Sequence, residues 1–114
     1  MHELAITKSL LAIALDKAEE SGVKRIRSIR LRVGELTGYV PEAVELNFNM
    51  LAVNTIAEGA VLQIEPVTLQ CTCKNCGHIY HGKPDDFTCP ACGAADITVT
   101  GGREMFIESM EVET

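Results

Sequence analysis

The spacing of apolar residues predicts two helices and a strand in the first half of the chain. Apolar residues recur at helical spacing from about Glu3 to Ser21, and Gly22 stands where such a helix would end. From Lys24 to Val33, apolar residues alternate with arginines, which predicts a strand with one buried face. A second helix is predicted from Pro41 to about Val53. Its apolar residues spread beyond a narrow stripe, so this helix is either well buried or shared with a partner.

The second half of the chain reads as short strands around a cysteine-rich segment. Strands are predicted at Ala60 to Glu65 and Val67 to Cys71, interrupted by Pro66, which suits an edge strand or a bulge. Further strands are predicted at Ile97 to Thr100 and Glu104 to Glu111. The pattern predicts an α+β fold in which two helices pack on a small, mainly antiparallel sheet with an inserted zinc-ribbon module. The predicted body comprises residues 1–69 completed by a C-terminal strand at 103–114, and the ribbon comprises residues 70–102.

Four of the five cysteines form the most specific motif in the chain. Two C-x-x-C pairs are separated by twelve residues, and each pair is followed by a glycine, at Gly77 and Gly93. The spacing predicts a closed four-thiolate zinc site, which has no open position for a substrate; a redox or iron–sulfur role is the alternative. The predicted ligands are Cys73, Cys76, Cys89 and Cys92.

A structural metal also explains how the ribbon folds. Residues 70–102 are too few to build a hydrophobic core, and segments below roughly 40 residues usually need a metal or disulfides. Binding of structural zinc releases on the order of 10–16 kcal/mol in comparable peptides. The fifth cysteine, Cys71, is interpreted as a small buried thiol, with a spare ligand as the alternative.

The three histidines have different interpretations. His81 is predicted to be a surface residue of the ribbon, whereas His78 is equally well a surface residue or a partner of the zinc site that responds to pH. His2 would ordinarily be dismissed as a terminal residue. Its imidazole, the Met1 amine and the following amide nitrogens can nevertheless reach one ion, and such a nitrogen set suits square-planar Ni(II) or Cu(II).

Composition narrows the possible environments and partners. The chain has 114 residues, a hydrophobic fraction of 46% and a net charge of −6. A signal peptide is not expected from the first residues, and the sequence shows no apolar run of the ~20 residues that span a bilayer. Because the cysteines also stand at ligand spacing, a cytoplasmic location is predicted. The acidic charge and few aromatic residues argue against nucleic acid as a partner. A local run of arginines, from Arg25 to Arg32, is either a solvated strand face or a docking patch for an acidic partner.

Taken together, the motifs resemble one known family. Met1-His2-Glu3 before an apolar helix, the strand that ends in Val33-Gly34-Glu35, and the C-x-C-x2-C and C-P-x-C-G cysteine set resemble the HypA/HybF nickel metallochaperones of NiFe-hydrogenase maturation. The resemblance covers essentially the whole chain. It implies a nickel-binding domain of two helices on a three-stranded sheet, joined to a zinc domain.

The resemblance also implies the site residues and partners. Ni(II) is cargo, bound by the Met1 amine, His2 and the backbone around Glu3, and Zn(II) is structural, bound by the four cysteines. The implied partners are the nickel-binding GTPase HypB and the hydrogenase large subunit, and some relatives also serve urease. Some relatives place a histidine after each cysteine pair. Here the second pair is followed by Gly93-Ala94-Ala95, so a two-histidine exchange of zinc ligands is not expected.

Neither a nucleophile–base pair nor a phosphate-binding glycine loop is evident, so an activity as an enzyme is not expected. Both a monomer and a homodimer fit the sequence. The rival hypothesis is a zinc-ribbon adaptor that binds a protein or nucleic acid and has no role in nickel handling.

Overall fold

The computed structural model describes residues 3–83 and 85–114, and it confirms an α+β fold. Two helices and six strands form in the described residues, in two small sheets rather than one, with a 3-10 turn at Glu35–Thr37 after the first strand. In chain order the elements are α1 (Glu3–Glu20), β1 (Arg25–Gly34), α2 (Pro41–Leu51), β2 (Val61–Val67), β3 (Gln70–Cys73), β4 (Ile79–His81), β5 (Ile97–Gly101) and β6 (Met105–Glu113).

Both predicted helices are present, and each ends within two residues of the predicted position. Helix α1 buries one stripe and leaves the opposite side exposed, with Leu4 and Ile13 at least half exposed. Helix α2 buries Val44 and Phe48. Because Leu46 and Met50 are exposed, α2 has apolar residues on two sides, as the breadth of its pattern indicated. Val53 is exposed as well, but it lies beyond the end of α2. The buried stripe of α1 consists of Glu3, Thr7, Leu10, Leu11, Ala14 and Ala18.

The larger sheet has the strand order β2-β1-β6, with β1 in the centre. The buried positions of β1 include Ile29, Leu31 and Val33, which confirms the predicted alternation. Three of the four arginines of β1 pair with glutamates of the flanking strands, and the fourth, Arg25, donates to the carbonyl of Glu58 at 3.0 Å. The ion pairs are Arg27–Glu113, Arg32–Glu108, Arg30–Glu65 and Arg32–Glu65. Exposed ion pairs of this kind contribute roughly 0–1 kcal/mol each to the stability of the fold. Because these arginines already have acidic partners within their own sheet, the pairs favour a solvated strand face over a docking patch.

Pro66 does not interrupt the strand as predicted. Strand β2 continues through Pro66 to Val67, and the break falls at Thr68 and Leu69 instead. Because β2 lies at one edge of the sheet, the N–H that proline lacks is not needed for pairing on that side.

The smaller sheet has the order β4-β3-β5, and both of its pairings are antiparallel. Strand β4 was not predicted, because three residues are too few to show a periodic pattern.

The described residues divide into two compact units. The first comprises the residues up to Arg32 together with Tyr39–Glu65 and Phe106–Thr114, and the second comprises Val33–Gly38 and Pro66–Met105. Residues 33–38 therefore group with the ribbon rather than with the body. The Leu36 N–H donates to the carbonyl of Gly102 at 2.8 Å, and the Leu69 N–H donates to the Glu35 carboxylate at 3.3 Å. These bonds attach the 3-10 turn to the second unit.

Candidate metal centre

The first cysteine pair lies in a tight turn at the end of β3. The N–H of Cys73 donates to the carbonyl of His78 at 2.9 Å, and the N–H of Gly77 donates back to the carbonyl of Cys73 at 2.9 Å. Gly77 has φ +77°, a left-handed conformation that costs glycine little and other residues about 1–2 kcal/mol. The sequence Cys-x-x-Cys-Gly therefore closes on itself through backbone hydrogen bonds.

The second pair repeats this turn bond for bond. The N–H of Cys89 donates to the carbonyl of Ala94 at 2.8 Å, and the N–H of Gly93 donates to the carbonyl of Cys89 at 2.8 Å. Gly93 has φ +76°. The two turns are therefore equivalent, and Ala94 holds the position in the second turn that His78 holds in the first.

The two turns bring all four thiols together. The sulfur atoms lie within 4.8 Å of one another, and the cross-turn distances are 3.5 Å between Cys73 and Cys92 and 3.7 Å between Cys76 and Cys89. A tetrahedral zinc ion with Zn–S bonds of about 2.3 Å separates its sulfur ligands by about 3.8 Å, whereas a disulfide would need about 2.05 Å. The arrangement fits a four-thiolate zinc ion, and in residues 3–83 and 85–114 no other group of three or more histidines, cysteines and carboxylates reaches ligand spacing.

The first cysteine of each pair is buried and the second is exposed, so the cluster lies at the surface. Neighbouring donors act on the exposed sulfurs. The pKa of Cys92 is lowered to about 6, first by the backbone N–H of Ala94 and then by the Asn75 amide, whose nitrogen lies 3.7 Å from the sulfur. The backbone N–H of His78 also lowers the pKa of Cys76, but desolvation and the neighbouring thiols outweigh it and raise that pKa to about 12. A divalent cation that binds the cluster would displace the protons of the thiols, because thiolates are the ligands.

The structure also locates the other residues that the sequence singled out. Cys71 is fully buried and lies outside the four-sulfur group, as expected for a small buried thiol. A Cβ atom at Gly82 would lie 2.8 Å from the Cys71 sulfur, so the two residues pack closely. The imidazole of His78 stacks on the ring of Tyr80 at 5.8 Å, and its backbone supplies its contacts with the cysteine turn. His81 is exposed and lies 3.3 Å from the Thr68 hydroxyl.

Asn75 is the residue of this site that the sequence interpretation missed. It occupies the second variable position of the first C-x-x-C turn, and its amide points at a cysteine of the other pair. A polar donor at such a position is the signal that would have identified it.

The proposed nickel ligands Met1 and His2 lie outside the described residues. The adjoining Glu3 begins α1 and is 8% exposed. Its carboxylate accepts the N–H of Val40 at 3.0 Å, and its carbonyl accepts the Thr7 hydroxyl. Glu3 is therefore fixed between the first turn of α1 and the start of α2.

Comparison with known proteins decides the family. A family model described as "Hydrogenase/urease nickel incorporation, metallochaperone, hypA" matches residues 1–112. The chain belongs to the HypA family. It is 39% identical over 114 residues to the hydrogenase maturation factor HypA of Caldanaerobacter subterraneus, a match that covers 99% of this chain and 100% of the relative. It is 40% identical over 113 residues to HypA of Geobacter sulfurreducens, with coverage of 99% and 100%.

A solved structure supports the fold. The solution structure of the nickel metallochaperone HypA from Helicobacter pylori matches 99% of this chain and 98% of its own length, with a TM-score of 0.70 at 23% identity. The HypA family consists of metallochaperones and maturation factors, so the protein is not an enzyme. Its four-cysteine cluster is consistent with structural zinc, and its family is consistent with nickel as cargo. Within residues 3–83 and 85–114, neither helix has the length and hydropathy that a membrane-spanning helix needs.

Proposed function

We propose that this protein captures Ni(II) at its amino terminus and delivers it to the large subunit of a NiFe-hydrogenase. The observation that carries the proposal is membership of the HypA family over residues 1–112, a range that includes Met1-His2-Glu3. The nickel ligands would be the Met1 amine, the His2 imidazole and backbone nitrogen around Glu3, a donor set that suits Ni(II). A metallochaperone must release its nickel to a client protein, and an exposed terminal site would release the ion faster than an enclosed one.

The anchoring of Glu3 supports the proposal. A chelate built from consecutive residues needs a defined backbone direction at its last member, and ordering that backbone in advance reduces the entropic cost of binding. The Glu3 side chain is held by Val40 and its carbonyl by Thr7. The backbone of Glu3, the last member of the chelate, would then lose few conformations when nickel binds.

The two metals would have separate tasks in the two units. Zn(II) would bind Cys73, Cys76, Cys89 and Cys92 and fold the second unit, with the His78 side chain as a neighbour of the zinc site. Ni(II) would bind in the first unit, at the opposite end of the sequence. The partners we propose are the GTPase HypB and the hydrogenase large subunit, with urease maturation proteins as a further client system in view of the family's description.

Nickel titration of untagged protein tests the proposal. Wild type should bind Ni(II) while it retains about one zinc per chain, and His2→Ala should lose that nickel affinity with unchanged zinc content. His81→Ala is the matched control, because it removes an exposed histidine from the ribbon and should bind nickel like wild type. Equal nickel affinity in wild type and His2→Ala would exclude the terminal site and favour the zinc-ribbon adaptor.

An extension of the chain before Met1 separates the amine from the imidazole. Extra residues turn the terminal amine into an amide and should weaken nickel binding without altering zinc content. If the extended protein binds nickel as tightly as wild type, the Met1 amine is not a ligand.

A further inference from the structure

Strand β6 is an open edge of the larger sheet. It pairs with β1 on one side, and among the described residues no strand pairs with its other side. β6 is nine residues long and contains no proline, whereas the opposite edge strand β2 contains Pro66. Open edges present unpaired N–H and C=O groups to which another strand can add, and proline is a common way to block this. The β6 edge lacks that block.

The backbone near the end of β6 presents hydrogen-bonding groups to this open side. The carbonyl of Glu113 accepts the N–H of Lys24 at 2.8 Å and so points toward the β1 side. In an antiparallel pair, successive residues direct their N–H and C=O groups to opposite sides. The backbone groups of Val112, the neighbour of Glu113, therefore point to the open side. This alternation does not run unbroken along the whole strand, because the carbonyl of Glu104, nine positions before Glu113, also accepts an N–H from β1, that of Gly34.

Beside this edge the core of the first unit is incomplete. No residue of β6 is fully buried, whereas the neighbouring β1 buries Ile26, Ile29 and Leu31 completely. A mainly apolar groove of about 450 Å³ lies between the end of α1 and β6. Its lining includes Ala18, Val23, Ile107, Met110 and Val112. An added strand would therefore find both backbone partners and a recess for its side chains, which is the combination used in recognition by strand addition.

Charge selects the kind of strand that fits. β6 carries three glutamates and no lysine or arginine. Glu108 and Glu113 face Arg32 and Arg27 of β1, which leaves Glu111 as the acidic residue without an ion pair inside this sheet. Pairing of β6 with β6 of a second copy would bring the Glu111 carboxylates of both copies into one seam, and like charges across strands are destabilising. Opposite charge in the added strand would instead be favourable.

We propose that the β6 edge binds an extended segment of a partner protein by strand addition. Apolar side chains at alternate positions of that segment enter the groove, and a lysine or arginine between them faces Glu111. This inference goes beyond the proposed function, because it requires no nickel and concerns a surface formed by β6 and α1.

A peptide probe tests the proposal on the full zinc-loaded protein. The probe is a nine-residue peptide of alternating valine and lysine, compared with an alternating valine–glutamate peptide of equal length. The measurements are dissociation constants and amide hydrogen exchange. Val112→Pro removes an N–H that points to the open edge, and Val112→Thr is the matched control, because it keeps both the N–H and the branched shape. Circular dichroism and zinc content check that each variant folds.

The expected result is slowed exchange at the amide of Val112 when the valine–lysine peptide binds. Val112→Pro should weaken binding by about tenfold, which corresponds to roughly 1.4 kcal/mol and to the loss of one backbone hydrogen bond, whereas Val112→Thr should bind like wild type. Glu111→Lys should reverse the preference in favour of the valine–glutamate peptide, and it tests the proposal even if Val112→Pro fails to fold. Nickel affinity should stay unchanged in all of these variants, so this test can fail without affecting the nickel proposal.

Three results would overturn the inference. One is protection of α2 rather than β6 by the peptide. Another is equal affinity of Glu111→Lys and wild type for both peptides. The third is concentration-dependent dimerisation of wild type that Val112→Pro abolishes, because the edge would then pair with a second copy of the chain.

Discussion

Gly34→Ala is expected to destabilise the second unit severely, although Gly34 has an ordinary negative φ of −69°. Gly34 ends β1, and the chain around Gly102 passes directly over it. A Cβ atom at Gly34 would lie 2.2 Å from the carbonyl oxygen of Gly102 and 2.8 Å from the backbone nitrogen of Arg103. Normal contacts begin at about 3.4 Å, and backbone atoms cannot rotate away as a side chain can, so the two segments must separate by about 1 Å.

A separation of the two segments would weaken two backbone hydrogen bonds. It would stretch the hydrogen bond from the Gly34 N–H to the Glu104 carbonyl, now 2.6 Å, and the bond from the Leu36 N–H to the Gly102 carbonyl, now 2.8 Å. Each bond contributes about 1 kcal/mol net, and overpacking of a close contact costs about 1–3 kcal/mol. The free energy of unfolding should therefore fall by roughly 3–5 kcal/mol.

Guanidinium denaturation of the zinc-loaded protein measures this loss. Gly101→Ala is the matched control, because its nearest neighbour would be the Cβ of Gln70 at 3.5 Å, which is an ordinary contact. The control should stay within about 1 kcal/mol of wild type. If Gly34→Ala and Gly101→Ala unfold at the same denaturant concentration, the close approach of the two segments is not a constraint on this protein.

Two further predictions concern the zinc site. Removal of zinc by a strong chelator should abolish amide protection in β3, β4 and β5 but preserve it in α1, because the first unit has its own hydrophobic core. Hydrogen exchange with mass spectrometry measures this protection, and an equal loss of protection in α1 would contradict the prediction. Asn75→Ala should speed zinc transfer to a chelator by about fivefold, since the long contact to Cys92 is worth about 1 kcal/mol. Lys74→Ala, which removes only an exposed ion pair to Asp96, is the control and should release zinc at the wild-type rate.

Features encoded by local sequence were predicted well. The two helices follow from apolar periodicity, and the four-sulfur cluster follows from two C-x-x-C-Gly turns whose hydrogen bonds all lie within six consecutive residues. Such signals need no knowledge of the rest of the fold. The edge position of β2 agrees with its proline, but the break predicted at Pro66 is wrong, because a strand can run through proline where the missing N–H is not needed for pairing, and which N–H groups pair depends on sheet order, which is not a local property.

Features that depend on distant partners could not be predicted. Residues 33–38 group with the ribbon because Leu36 bonds to Gly102 and Leu69 bonds to Glu35, and these partners are separated by more than thirty positions in the chain. Nothing in the pattern around Gly34 reveals that another backbone segment crosses it. The contact from Asn75 to Cys92 likewise appears only when the two turns face each other across the cluster.

The equivalence of the two cysteine turns has a consequence for how this part of the chain can change. Each turn fixes its own two sulfurs by bonds that lie inside the turn, so residues 82–88, which connect β4 to the second turn, need not set the distance between the two sulfurs of a pair. The entropic cost of closing such a connection grows slowly, by about 0.6 kcal/mol for each doubling of its length. The connection should therefore tolerate inserted sequence. A reporter or an additional binding segment could be added there while the four-cysteine zinc site still forms.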